Sequence, residues 1–140
     1  MNKNTILSVR DLKTEFVMDE GTAKAVAGVS FDVDRGQVVG IVGESGCGKS
    51  VTIKSILGIV QKPGKVVAGE ILFRSSPNGE MVDLRSFDDR GKEMRDIRGN
   101  EIALIPQEPM AALSPVHTIG NQLVEAVRLH RKISKKEAEK

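Results

Sequence analysis

The sequence contains no tryptophan and no tyrosine, and its only aromatics are Phe16, Phe31, Phe73 and Phe87. So few rings give no platform on which the bases of a single strand could stack. Cys47 is the single cysteine, which excludes an internal disulfide and points to a reducing compartment. The two histidines, His117 and His130, have no cysteine partner, a poor basis for a metal site. No apolar run approaches the ~20 residues that cross a bilayer. The opening "MNKNTILSVRDLK" has neither the apolar centre nor the cleavage site of a signal peptide. The chain therefore has no segment for direct membrane insertion, and any membrane role requires a partner. The net charge of +2 is too small to draw nucleic acid.

What is present is ordinary for one soluble domain: 140 residues, 39% hydrophobic and 29% charged. "TILSVRDLKTEF" alternates and reads as a strand near a sheet edge; "AVAGVSFDVD" alternates again and should pair with it across the turn "DEGTAK". "VVGIVG" is continuous and apolar, the pattern of a strand buried on both faces. Apolar residues then recur at near-helical spacing from Lys49 to Val60, and Pro63 and Gly64 should stop that helix. "GEILFRS" and "EMVDL" flank Asn78-Gly79, a hairpin signal. The charged stretch "SFDDRGKEMRDIRG" predicts one short helix or turn ended by Gly99, and "EIALIPQ" a short buried strand. Thr118 should cap a helix over 119–131, with Ile119, Leu123, Val127 and His130 near one face. Ser134 and Glu137 form a capping box that announces a further helix, yet the sequence stops at Lys140, which reads as a fragment. The basic tail "RLHRKISKKEAEK" has interleaved acids and reads as a solvated face.

The densest chemistry lies in "GIVGESGCGKSVT", Gly40 to Thr52. Gly43, Glu44, Ser45, Gly46, Cys47, Gly48, Lys49 and Ser50 match G-x-x-x-x-G-K-[ST] in full, between a strand-like run and an amphipathic helix. Glycines let successive backbone N–H groups face inward as an anion nest. The helix N-terminus adds about half a positive charge. Lys49 brings a full charge to the β- and γ-phosphates, and the Ser50 hydroxyl is an oxygen ligand for Mg²⁺. Val51 and Thr52 complete the candidate site, with Thr52 placed for the α-phosphate. Cys47 reads as a small filler, because this chemistry needs no nucleophile. The motif alone leaves ATP or GTP, kinase or motor open; an Asn-Lys-x-Asp guanine-reading motif is absent from the sequence.

"GIVGESGCGKSVT" together with "IALIPQEPMAALSPVHTIGNQLVEA" resembles the ATP-binding subunit of ABC transporters, most closely the oligopeptide/dipeptide (and nickel) importer branch. The likeness runs over nearly the whole chain, which is identified as the N-terminal portion, 1–140, of one ATP-binding domain. It implies an α/β P-loop fold of ABC type: an N-terminal antiparallel β subdomain plus an incomplete part of the parallel-sheet core. It implies ATP and Mg²⁺ as cofactors. Phe16 stands where the family's aromatic stacks on adenine; the alternative is a core residue of an edge strand. Gln107 matches the glutamine that touches Mg²⁺ and the water near the γ-phosphate, the one catalytic role the resemblance gives this chain. Implied partners are transmembrane permease subunits and a second ATP-binding subunit, at the cytoplasmic face of the membrane. No nucleic acid is implied.

The family's "LSGGQ" signature, its Asp-Glu strand end and its switch histidine are missing from the sequence; "AALSP" at 111–115 lacks the Gly-Gly pair and is not the signature. Two functional expectations follow. The chain is part of an ATPase subunit driving uptake of peptides or similar solutes; alternatively, as it stands, it is a nucleotide-binding or inert remnant without turnover. Without further parallel strands, "VVGIV" is expected to expose its edges and apolar faces.

Overall fold

The computed structural model describes residues 3–139, the side chain of residue 111 excepted. Contacts group the chain into two compact units, 1–94 and 95–140.

The first unit is built on two long strands. β1 (Thr5–Met18) and β2 (Gly21–Asp34) form an antiparallel hairpin across Asp19 and Glu20. β3 (Gly64–Phe73) pairs antiparallel with the other edge of β1, and the short β4 (Val82–Asp83) adds to β3, giving the order β2-β1-β3-β4. β1 is thus an interior strand rather than the edge its alternation suggested. Its partners on both sides bury Val9, Leu12 and Thr14 completely. The β3–β4 hairpin forms across the Asn78-Gly79 turn, as expected, with Phe73 opposite Val82.

A bulge bends β1 at Asp11, whose φ is 44°. On the β3 side, Asp11 and Leu12 together face the single residue Gly69, since Arg10 pairs with Glu70 and Lys13 with Ala68. A Cβ on Gly69 would fall 2.6 Å from the carbonyl oxygens of Arg10 and Asp11, so the bulge fits only against a glycine.

α1 (Lys49–Ile56) packs its buried Thr52, Ser55 and Ile56 inward. It ends earlier than the apolar spacing predicted. Gly58 adopts φ 60°, and the amides of Gly58 and Ile59 return to the carbonyls of Ser55 and Lys54 at 3.1 and 2.9 Å. Those two bonds are the Schellman pattern, which closes the helix before Pro63 is reached. Val26, Ile56, Leu57, Ile71, Phe73, Leu84 and Met94 complete the buried apolar set of this unit. A cleft of about 360 Å³ opens at the C-terminal end of α1, beside Gly58, Gly64 and Leu84.

The run at 38–42 is not a strand. It has no regular structure, and Val38 and Val42 are 96% and 93% exposed. An apolar strand of the parallel type needs neighbours on both edges and cover on both faces. Among the described residues none pairs with it, and no strand of a parallel core forms.

α2 (Lys92–Ile97) is the short helix predicted before Gly99, whose φ is 80°. In the second unit, Ile102 makes only an isolated parallel bridge to Arg98, and Ile105 is 89% exposed, so "EIALIPQ" is no strand either. A 3₁₀ turn at Pro109–Ala112 follows. α3 (Ile119–His130) starts where Thr118 caps it, Thr118 Oγ1 accepting from the Asn121 amide at 3.3 Å. Its buried residue is Val124; Ile119, Leu123 and Val127, the expected inner face, are exposed. α4 (Lys135–Ala138) carries the full capping box of Ser134 and Glu137. The hydrogen bond from Ser134 holds the Glu137 carboxyl below the usual carboxylate range.

Candidate phosphate-binding site

The loop from Gly43 to Gly48 lies between the exposed run and the first turn of α1. Its turn closes where the Cys47 amide donates to the Glu44 carbonyl at 3.3 Å. Gly46 and Gly48 take φ values of 82° and 94°, a region that L side chains rarely enter. Gly48 is constrained twice, because a Cβ there would also collide with the carbonyl oxygen of Ala25. That carbonyl belongs to a local irregularity in β2. Thr14 pairs with Val26 and Glu15 with Lys24, which leaves Ala25 between them without a partner on β1. The bulged backbone of β2 is therefore the wall against which the N-terminus of α1 rests.

Lys49 folds back over the loop. Its ammonium donates to the carbonyl oxygens of Gly43 at 2.7 Å and Glu44 at 2.6 Å, and lies 3.4 Å from Cys47 Sγ. Glu44, Ser45, Gly46, Cys47 and Ser50 are exposed, so the loop faces solvent and can be reached. Val51 is half-buried in the first helical turn. Thr52 is buried, and its hydroxyl donates to the Gly48 carbonyl at 3.0 Å. That bond commits the Thr52 proton to the helix N-terminus and leaves only oxygen lone pairs free.

Phe16 is half-buried on β1, opposite Ala23 and Gly64. Gln107 belongs to the second unit, exposed at a bend before Pro109. The structure brings together the loop, Lys49, Ser50 and Thr52 as one local site; Gln107 is described only within its own unit.

One arrangement in the second unit escaped the sequence reading. The Gln122 amide on α3 accepts from the Ser114 amide at 2.8 Å and donates to the carbonyls of Ser114 at 3.1 Å and His117 at 3.0 Å. Ser114 Oγ also lies 2.9 Å from His117 Nδ1. A single side chain thus ties the Ser114–His117 loop to the helix. The only available signal was a glutamine one turn into a capped helix after a proline-bounded loop, which is weak.

Among the described residues, no group of three or more His, Cys, Asp or Glu is placed to hold a metal ion. No helix among them is long and apolar enough to cross a membrane.

The family described as ABC transporter has a sequence model that matches residues 26–140. A probable peptide ABC transporter ATP-binding protein of Sinorhizobium fredii is 47% identical over 134 residues, covering 95% of this chain and 38% of that protein. The dipeptide transport ATP-binding protein DppD of Bacillus subtilis is 49% identical over 136 residues, covering 96% and 38%. The glutathione import ATP-binding protein GsiA of Pectobacterium atrosepticum is 40% identical over 134 residues, covering 95% and 21%. The chain thus spans well under half the length of these relatives.

Proposed function

Because the chain belongs to the ABC transporter family, we propose that residues 1–140 are the N-terminal part of one ATP-binding domain of an importer for peptides or similar solutes. The observation that carries this reading is the Lys49 ammonium, held over a glycine-turned loop at the start of α1. The solute class follows the names of the relatives, two of which are peptide or dipeptide transport proteins.

The loop fits a triphosphate tail. Gly46 and Gly48 adopt the left-handed torsions that an anion nest uses, the loop's one cation is at hand, and its rim is exposed. Gly43, Glu44, Ser45, Gly46, Cys47, Gly48, Lys49, Ser50 and Val51 are assigned to the nucleotide, and Phe16 to the adenine ring. Thr52, whose amide and hydroxyl both donate to the Gly48 carbonyl, supports the first turn of α1 rather than donating to the α-phosphate. Mg²⁺, when bound, neutralises phosphate charge. Ser50 offers it a neutral oxygen, and Gln107 a second by its motif. Lys49 exchanges its two carbonyl contacts for phosphate oxygens, a stronger, charge-assisted pairing. The antiparallel sheet is the N-terminal subdomain of the P-loop fold, and the exposed runs at 38–42 and 102–105 are assigned to its parallel core. In the assembled importer, the partners are permease subunits and a second ATP-binding subunit, identical or paralogous, at the cytoplasmic face of the membrane.

A second reading concerns the 140-residue chain alone: it binds nucleotide without turning it over. It is favoured by the exposure of Val38, Val42 and Ile105 and by the lack of a water-positioning carboxylate motif in the sequence.

Titration of the chain with a fluorescent MgATP analogue tests both. Saturable binding is expected, and Lys49→Ala should abolish it; equal binding by the variant, or none by the parent chain, refutes the site. Phosphate release from MgATP should stay at background, and steady turnover would overturn the second reading.

A further inference from the structure

Phe16 occupies a place in the sheet that its neighbours leave open. It pairs with Ala23 on β2 and Gly64 on β3, so neither flanking residue has bulk beyond a methyl group. The ring leans across Gly64. A Cβ there would lie 2.7 Å from Phe16 Cε1, 2.8 Å from Cζ and 2.6 Å from Val60 Cγ1. Carbon atoms in contact normally sit about 3.5–4.0 Å apart, so the ring fills the space a side chain at 64 would need. Backbone torsion does not explain this glycine, because Gly64 is not among the residues with positive φ. Space does. Phe16 itself is only half-buried, so part of the ring stays open.

We propose that Gly64 is a positioning residue for the nucleotide site: its missing side chain sets where the Phe16 ring lies, and hence the face the ring offers to a planar base. The proposal rests on the assignment of Phe16 to adenine. An alanine at 64 forces the Phe16 ring and the Val60 side chain to give way, or the strand to move. The strand backbone is held by the pairs Thr14–Val66 and Glu15–Lys65, whereas the far end of an aromatic side chain swings at little cost. The ring is displaced together with the Val60 methyl, and the loop at 43–48, which is not among the nearest neighbours of Gly64, stays as it is.

The test compares the parent chain, Gly64→Ala, Phe16→Ala and the double variant, each titrated with MgATP and with magnesium tripolyphosphate, which has no base. Gly64→Ala should weaken MgATP roughly five- to tenfold, within the range of one lost base–aromatic contact. The double variant should bind MgATP no more weakly than Phe16→Ala, since Gly64 acts only through the ring. Tripolyphosphate should bind all four chains alike, which also shows that the loop remains folded. If Gly64→Ala weakens tripolyphosphate as much as MgATP, or if the two substitutions multiply, Gly64 does not act through the ring. If Phe16→Ala leaves MgATP affinity unchanged, the assignment of Phe16 to adenine falls, and the role of Gly64 falls with it.

Discussion

Thr14 and Ser55 join hydroxyls at 2.8 Å in the buried contact between β1 and α1. Ser55 has one hydroxyl proton and donates it to the Val51 carbonyl at 2.7 Å, so Thr14 is the donor of the pair. The bond fastens the helix that carries the phosphate loop to an interior strand. Thr14→Val keeps the shape and removes the donor. A loss of about 1 kcal/mol is expected, read as a lower urea midpoint at unchanged slope. An unmoved midpoint would mean that the contact contributes nothing net.

Gly48 and Gly46 separate torsion from collision. Both have positive φ, but a Cβ at 46 meets open space while one at 48 meets the Ala25 carbonyl. Gly46→Ala should cost about 1–2 kcal/mol from torsion alone. Gly48→Ala should cost more and displace the first turn of α1, with loss of MgATP binding. Thermal melts of the two variants, with a nucleotide titration, check the order; equal losses would rule out the collision with β2.

Cys47 is free and exposed, inside the loop and 3.4 Å from the Lys49 ammonium. A thiol reagent should modify it readily in the unliganded chain and more slowly as MgATP is raised. Equal rates at zero and saturating MgATP would place the nucleotide elsewhere.

Gln122 should govern the order of the Ser114–His117 loop. Gln122→Leu removes the acceptor for the Ser114 amide and the donors to two carbonyls. Hydrogen exchange at Ser114 is expected to accelerate by on the order of tenfold, with the amides inside α3 unaffected. Unchanged exchange at Ser114 would show that the loop holds itself.

The pH dependence of the sheet includes the pair Arg10–Asp32, 2.7 Å apart at the surface. The Arg10 guanidinium holds the Asp32 carboxyl below its ordinary 3.8. A depressed carboxylate contributes its stability above the unfolded value and loses it as pH falls through the folded one. Acidification from neutrality to below 3.8 should therefore lower the melting temperature of the parent chain more than that of Asp32→Asn. Parallel curves would show that the pair is screened to nothing.

What the sequence revealed was whatever is settled within a few residues. The glycine-turned loop before α1, the Thr118 cap, the Ser134–Glu137 box and the turn at Asn78–Gly79 depend on local torsions and hydrogen bonds, and each was legible. The first hairpin was legible too, but its turn is Asp19–Glu20 alone, because Gly21–Lys24 of the expected turn pair with β1 as the start of β2. Strand partnership was not. Nothing in β1 announces that β3, some fifty residues on, covers its second edge, so an interior strand read as a peripheral one. Apolar continuity at 38–42 marked a propensity for burial, but burial requires cover, and the described residues leave Val38 and Val42 almost fully exposed. The end of α1 was missed because Gly58 closes the helix through its own torsion, inside a stretch whose apolar spacing continues. Gln122 was invisible because its role depends on how a loop folds back on a helix.

The contacts of Lys49 with Gly43 and Glu44 have one more effect. They brace the curve of the empty loop, and when Lys49 turns to an anion the Cys47–Glu44 bond and the torsions of Gly46 and Gly48 still hold it, so the entropy of ordering that curve is spent during folding. A guest then meets a cup already formed, and its affinity is not taxed by the need to shape it.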